Sequence, residues 1–428
     1  MLIFVTRAWG WRVTSEVLLM NLEAVALGAD SAVTITDTRD NFSVSQGGVE
    51  KIHILNEAGP VAAMVYGGGD FAGLPWKSVL AQYRQAHTSS NASIKAQALD
   101  LMNFLSGGTL RGDDNAEIKS FALYLMAFTL DYGEQLKVFG WEEGKPVLQT
   151  VAAQALNVLT QEVLYDGRAG QNGKPVPRPL LPESPRMADF LKAHLGKLLQ
   201  QFLAEMLDGS AFPTVAVQPL IDLAAASVYI EWLPLHADMF ITGMVIAGFD
   251  NPASPPTLVT VEFLGSFGGI LQSQAIRSLS PKPGSNPVVA ATFAQDAMTR
   301  ALLYGVMPVT EHITRVVTAT VIHRALAKVL GDMPKSQAAL AQQLAGKLGD
   351  LPFDAPAIGF ANARRHRLAE ATDRLWPLLE TANVRILADY AAKFMELPVL
   401  EHELTRDESV SRPIRVLAME PGRYFWKE

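Results

Sequence analysis

The 428-residue chain contains no cysteine. That absence excludes disulfides, thiolate zinc sites and cysteine nucleophiles together, and it is compatible with a reducing cytosol. Charge is sparse as well, at 18% of residues against 49% hydrophobic, so the chain has the means to bury one large core or two modest ones. No apolar run approaches the roughly 18 uninterrupted residues that a membrane helix requires, and the leader MLIFVTRAWGWRV, broken by Arg7, Trp9, Gly10 and Arg12, makes a poor signal peptide. A cytoplasmic protein without a membrane partner is the expectation. The acidic balance, a net charge of -7 with a pI near 5.7, argues against nucleic acid as the main partner. None of the eight histidines has the metal-ligand spacing of two His one helical turn apart with a partner acid. Gly67-Gly68-Gly69 lacks the Lys-Ser/Thr of a phosphate loop, and there is no dinucleotide fingerprint, so neither metal nor cofactor is expected. The basic cluster Arg364-Arg365-His366-Arg367 reads as a solvated helix face.

What is present is a series of short apolar runs. Glu16–Met20 and Ala24–Ala29 predict two buried strands with a turn at Asn21–Glu23, and Ser43–Val49, Lys51–Leu55 and Val61–Tyr66 continue the series. After the three glycines the period changes. Trp76, Val79, Leu80 and Tyr83 recur at helical spacing behind Pro75, a second helix is expected at about Ala92–Leu105, and strands return at Phe121–Asp131 and Gln135–Trp141. The Gly/Pro-rich stretch Gly167–Pro185 favours an extended or mobile connection. It leads into a helix at about Arg186–Leu207 with a broad apolar stripe.

Four patches carry a family resemblance: TSEVLLMNLEAVALGADSAVTI from Thr14, VEKIHIL from Val49, VAAMVYGGGDF from Val61 and ITGMVIAGFDNPASPPTLVTVEFLG from Ile241. With ESVSRPIRVLAME from Glu408, they resemble proteasome β-type subunits and their bacterial relatives, HslV and the Anbu proteins. In those families a mature N-terminal Thr is followed sixteen residues later by an Asp, then by a Lys in the next strand and a glycine turn. Thr14 and Asp30 keep that spacing. The resemblance implies an α+β fold, the four-layer αββα sandwich of N-terminal nucleophile (Ntn) hydrolases, with a large helical insertion. Residues 1–13 would be a leader or a mis-assigned start, 14–146 and 236–428 the two parts of the hydrolase domain, and 147–235 the insertion. It also implies a homo-oligomer, a peptide or unfolded-protein substrate, and leaves an ATPase partner open.

The resemblance implies a chemistry that suits these residue types. A Thr hydroxyl is a poor nucleophile at neutral pH, and a free α-amine on the same residue can supply a base of suitable pKa, so Thr14 would be nucleophile and base. The Lys51 ammonium would favour the neutral amine and stabilise the alkoxide, while Asp30 would hold Lys51 as counter-ion. The resemblance places the oxyanion donor at the Gly67 or Gly68 backbone N–H, and Ser31 beside Asp30 joins the hydrogen-bond network. The family's later Ser-Gly-Ser and Asp-with-Ser supports have no clear counterpart: the corresponding region reads AATFAQDAMTR, and Asp407 and Ser409 are the nearest candidates. A noncatalytic assembly or scaffold subunit is therefore the competing reading, and hydrolysis of a small-molecule amide a third. Val13 stands where self-cleaving relatives carry Gly, and its β-branch disfavours the strained cleavage geometry. A translation start at Val13, if GTG encodes it, followed by Met removal is the other route to a free Thr14.

Overall fold

The computed structural model describes residues 15–37, 42–46, 48–57, 59–87, 93–106, 110, 114–169, 175–230, 242–273, 277–294, 373, 375–405, 410 and 412–427. The chain is α+β. Ten strands carry the architecture: β1 (Ser15–Met20), β2 (Val25–Ala29), β3 (Ile52–Asn56), β4 (Val61–Tyr66), β5 (Thr242–Phe249), β6 (Pro256–Phe267), β7 (Ile270–Ser273), β8 (Val289–Ala294), β9 (Arg415–Glu420) and β10 (Arg423–Lys427). Seven helices pack on them: α1 (Trp76–Ala86), α2 (Ile94–Ser106), α3 (Asp114–Val138), α4 (Gln149–Leu164), α5 (Pro185–Met206), α6 (Thr214–Ser227) and α7 (Val384–Thr405).

Two antiparallel sheets form the centre. One runs β8-β1-β2-β9-β10, the other β7-β6-β5-β4-β3, with the short strand Arg277–Leu279 beside β6. Period-2 alternation decides what lies between them. On β1, Leu18 and Met20 face the second sheet, where they meet Ile52, Met64, Val245 and Ala247. Val17 and Leu19 face the other way, onto Leu387, Ala391 and Met395 of α7. The far side of the second sheet, through Val61, Ala63, Val65 and Met244, buries Trp76, Val79 and Leu80 of α1 and Ile94 and Leu101 of α2. The layers are thus helix, sheet, sheet and helices. Each fully buried Leu or Met in these rows contributes about 1.5–3 kcal/mol relative to exposure.

The β1–β2 turn is tied down by one side chain. Asn21 Oδ1 accepts from the Glu23 and Ala24 amides at 3.0 and 2.9 Å, and its Nδ2 donates to the Leu379 and Ala382 carbonyls at 2.9 and 2.7 Å. The turn expected at Asn21–Glu23 is therefore also the joint between the first sheet and the segment entering α7, where Asn383 Oδ1 accepts from the Arg385 and Ile386 amides.

The strands expected at Phe121–Asp131 and Gln135–Trp141 are replaced by helix: residues 114–138 are α3, and the chain leaves it by a turn closed from the Trp141 amide to the Leu136 carbonyl. Buried Phe121, Tyr124, Leu125, Phe128, Tyr132 and Leu136 recur at three- and four-residue steps, a helical period. The β-favouring aromatic content of FALYLMAFTLDY obscures it. In one core α3 packs with α4, α5 and α6, joined by Leu264 and Phe267 of β6. That helical unit therefore begins upstream of residue 147. The stripe of α5 packs as its spacing predicts, burying Leu191, Leu195, Leu199 and Leu203 behind a Ser184 cap and Pro185 in the first turn. The Gly/Pro-rich stretch holds paired strands at Tyr165–Ala169 and Pro175–Pro177.

Candidate active site

Three charged side chains from separate segments meet at one end of the space between the sheets. Lys51, which precedes β3, places Nζ 2.5 Å from Asp30 Oδ1 and 3.6 Å from Glu16 Oε1. All three are buried, with Glu16 1%, Asp30 2% and Lys51 5% exposed. Local backbone bonds make the meeting possible. The Val49 amide donates to the Ser31 carbonyl at 3.1 Å, which draws the segment ahead of β3 against the residue after Asp30. The Val65 amide donates to the Lys51 carbonyl at 2.9 Å.

Asp30 is held from several directions. Its Oδ1 accepts from the Ser15 amide at 2.9 Å as well as from Lys51, its Oδ2 accepts from the Ala32 amide at 2.9 Å, and its own amide donates to the Ser15 carbonyl at 3.2 Å. Such a carboxylate is a fixed post for the ammonium, because moving it breaks several charge-assisted bonds together. Ser31, 1% exposed, finds no hydrogen-bond partner for its hydroxyl among the described residues, so the part expected of it in the network is not seen there. Of the residues expected to act, the structure brings Asp30 and Lys51 together and sets Ser31 beside them. Thr14, the leader 1–13, the stretch 295–300, Arg364–Arg367, Asp407 and Ser409 lie outside the described residues.

Beyond Tyr66, at the end of β4, the chain enters the glycine turn. Gly67 has φ +82°, a left-handed conformation that favours glycine. A Cβ on Gly68 would stand 2.3 Å from Thr242 Oγ1, so the turn lies directly over that hydroxyl and admits no side chain there. Close backbone approach is what an anion-binding amide needs. The Tyr66 ring lies across Gly243, its register partner on β5, donates its hydroxyl to Glu262 Oε1 at 3.0 Å and stacks on Phe293 of the other sheet at 5.2 Å.

Sequence reading missed Glu16, Thr242, Tyr66 and Glu262. Nothing in the local pattern marks them, since each depends on cross-strand or cross-sheet placement; only the break in apolar character at Glu16, within an otherwise buried strand, was available as a signal. His53 lies in register with Ala63, on the helix-facing side of its sheet, and burial holds its imidazole below the usual value. It takes no part in the cluster. Among the described residues no group of three or more His, Asp or Glu could hold a metal ion, and no helix is long and apolar enough to cross a membrane.

Comparison with protein-family models finds no match, and none is found among curated proteins or among solved structures.

Proposed function

We propose that this chain is a threonine-type amide hydrolase with the layering of an Ntn hydrolase, cleaving peptides or unfolded protein through an acyl-enzyme on Thr14. The observation that carries the reading is the Asp30 carboxylate, which takes both the Lys51 ammonium and the amide of Ser15, the residue bonded directly to Thr14. A lysine fixed beside the start of β1 is what a Thr nucleophile with its own amine as base requires.

In this mechanism Thr14 Oγ attacks the scissile carbonyl carbon and its proton passes to the Thr14 α-amine. The oxyanion is held by the Gly67 or Gly68 N–H, and Lys51 stabilises the negative charge developing on Oγ. Collapse breaks the C–N bond, and the α-ammonium returns the proton to the leaving amine. Water, deprotonated by the same amine, then attacks the acyl ester; the C–Oγ bond breaks, the ammonium returns the proton to Thr14 Oγ, and the carboxylic acid leaves. We assign the protein to the cytoplasm and to a homo-oligomer on the same reading, with the helices α3–α6 modifying access or assembly.

The test is a fluorogenic peptide assay run beside a panel of small amides, with a Thr-directed covalent inhibitor and N-terminal sequencing of protein from its native host. A mature chain beginning at Thr14, turning over and labelled there, supports the reading. A mature chain that retains the leader, with neither turnover nor labelling, overturns it in favour of a scaffold subunit.

A further inference from the structure

Glu16 is out of place by the ordinary rule for this sheet. It occupies the same alternating row of β1 as Leu18 and Met20, and that row fills the apolar space between the sheets. A carboxylate there loses its hydration, which is tolerated only where charge or hydrogen bonding compensates. Its register partners, Ala29 on β2 and Phe293 on β8, carry no charge. Among the described residues, Lys51 stands 3.6 Å from it, Asp30 follows its register partner Ala29 in the chain, and Glu262 on β6 bonds the Tyr66 hydroxyl, whose ring stacks on Phe293. Glu50, next to Lys51 in sequence, is bonded to Lys77 and Arg415.

We infer that Glu16 is a positioning residue of the site: a second counter-ion of Lys51 that sets how strongly the lysine charge acts on the reacting groups. The inference rests on the hydrolase reading above. Asp30 already fixes where the ammonium sits, through a hydrogen bond backed by two amides. Glu16 Oε1 stands 3.6 Å from the ammonium, so what it adds to Lys51 is charge rather than a second short hydrogen bond. That charge offsets part of the positive field that Lys51 lays on the reacting amine or alkoxide. A site with Asp30 alone would keep its attacking amine neutral to lower pH. With Glu16 present the amine holds its proton longer, and the acid side of the activity profile moves up.

The test compares the mature protein with Glu16→Gln, which preserves shape and removes the charge. Two quantities are read: the pH dependence of kcat/KM on a fluorogenic peptide, and a double-mutant cycle of urea midpoints that combines Glu16→Gln with Lys51→Gln. The expected result is that the acid-side midpoint of the activity profile falls, with kcat/KM on the acid side rising up to about tenfold, and that the double variant loses less than the sum of the two single losses, as it does when two charges interact. A purely structural role for Glu16 would lower kcat/KM at every pH without moving the profile. An unmoved profile, or additive losses in the cycle, overturns the inference. If Gln at position 16 unfolds the chain, Glu16→Asp, which draws the charge back by one methylene, is expected to move the profile the same way by a smaller amount, and an unmoved profile there overturns the inference too. Failure of the hydrolase reading is distinguishable: it is a wild type without turnover or Thr14 labelling, and the double-mutant cycle still decides whether Glu16 is a counter-ion.

Discussion

Two ion pairs, one half-wet and one buried, sit in different regions and serve different ends. Arg186 Nη2 bonds Glu117 Oε1 at 2.7 Å where α5 begins beside α3; the carboxylate is buried, while 38% of the arginine side chain remains in solvent. The Lys51–Asp30 pair, between the sheets, keeps neither partner wet. The first geometry is an inexpensive staple, since the guanidinium retains much of its hydration and fastens two helices that already share an apolar core. The second costs several kcal/mol of desolvation per ion, and a well-packed apolar pair of similar volume would often serve stability as well or better. Stability alone is a weak reason to hold lysine and two carboxylates there. The contrast favours the sheet cluster, rather than the helix staple, as the candidate site.

Breaking the sheet pair has the largest expected effect. Lys51→Ala should abolish hydrolysis and, by leaving Asp30 buried without its cation, lower the unfolding free energy by about 3–5 kcal/mol in urea titrations. A variant as stable as wild type would mean that Asp30 does not depend on Lys51, and the contrast with Arg186 would collapse. Asn21 sharpens the comparison by supplying a buried polar hub without charge. Asn21→Ala should cost about 2 kcal/mol, because two carbonyls and two amides lose their partner at once, while the pH dependence of activity stays unchanged. Arg186→Met, at the staple, should cost about 2 kcal/mol, because Glu117 is left buried without its cation, read as a fall in Tm, and leave turnover at the wild-type level. Loss of turnover there would tie the helical unit to the site more closely than the ion-pair contrast allows.

The sequence-legible part of this contrast is the part built from local pattern. The β1–β2 hairpin, β4, the α1 stripe and α5 all follow from period and turn residues, and the meeting of Asp30 with Lys51 is what the resemblance implied. Glu16 was not read because a lone charge near a strand start looks like a wet edge; only β8 on one side and the second sheet above it bury it. Thr242 and Tyr66 were missed for a similar reason, since their roles exist only where β5 lies against β4. The α3 error has a different origin: a helix buried deeply enough to be rich in aromatic residues presents the composition of a strand, and spacing must then decide against propensity.

The smallest expected effect lies at the rim of the same cluster, one residue from Lys51. Glu50 accepts from Lys77 and Arg415, and these bonds hold its carboxyl well below the ordinary 4.5, at about 2. The pair to Arg415 also joins the segment before β3 to the start of β9. Because the folded-state pKa is depressed, the stabilisation is fully present above about pH 4.5 and is lost as pH falls from there through about 2, when the folded carboxyl finally takes its proton. Solvent reaches a third of the Glu50 side chain, so screening keeps the contribution to about 0.5 kcal/mol. Glu50→Gln should therefore be slightly less stable than wild type at pH 7, and the difference should vanish toward pH 2 and shrink in high salt, as measured by parallel denaturant titrations. A difference that persists at pH 2 would mean that Glu50 acts through packing rather than charge, and that the rim, unlike the buried cluster behind it, owes nothing to its ion pairs.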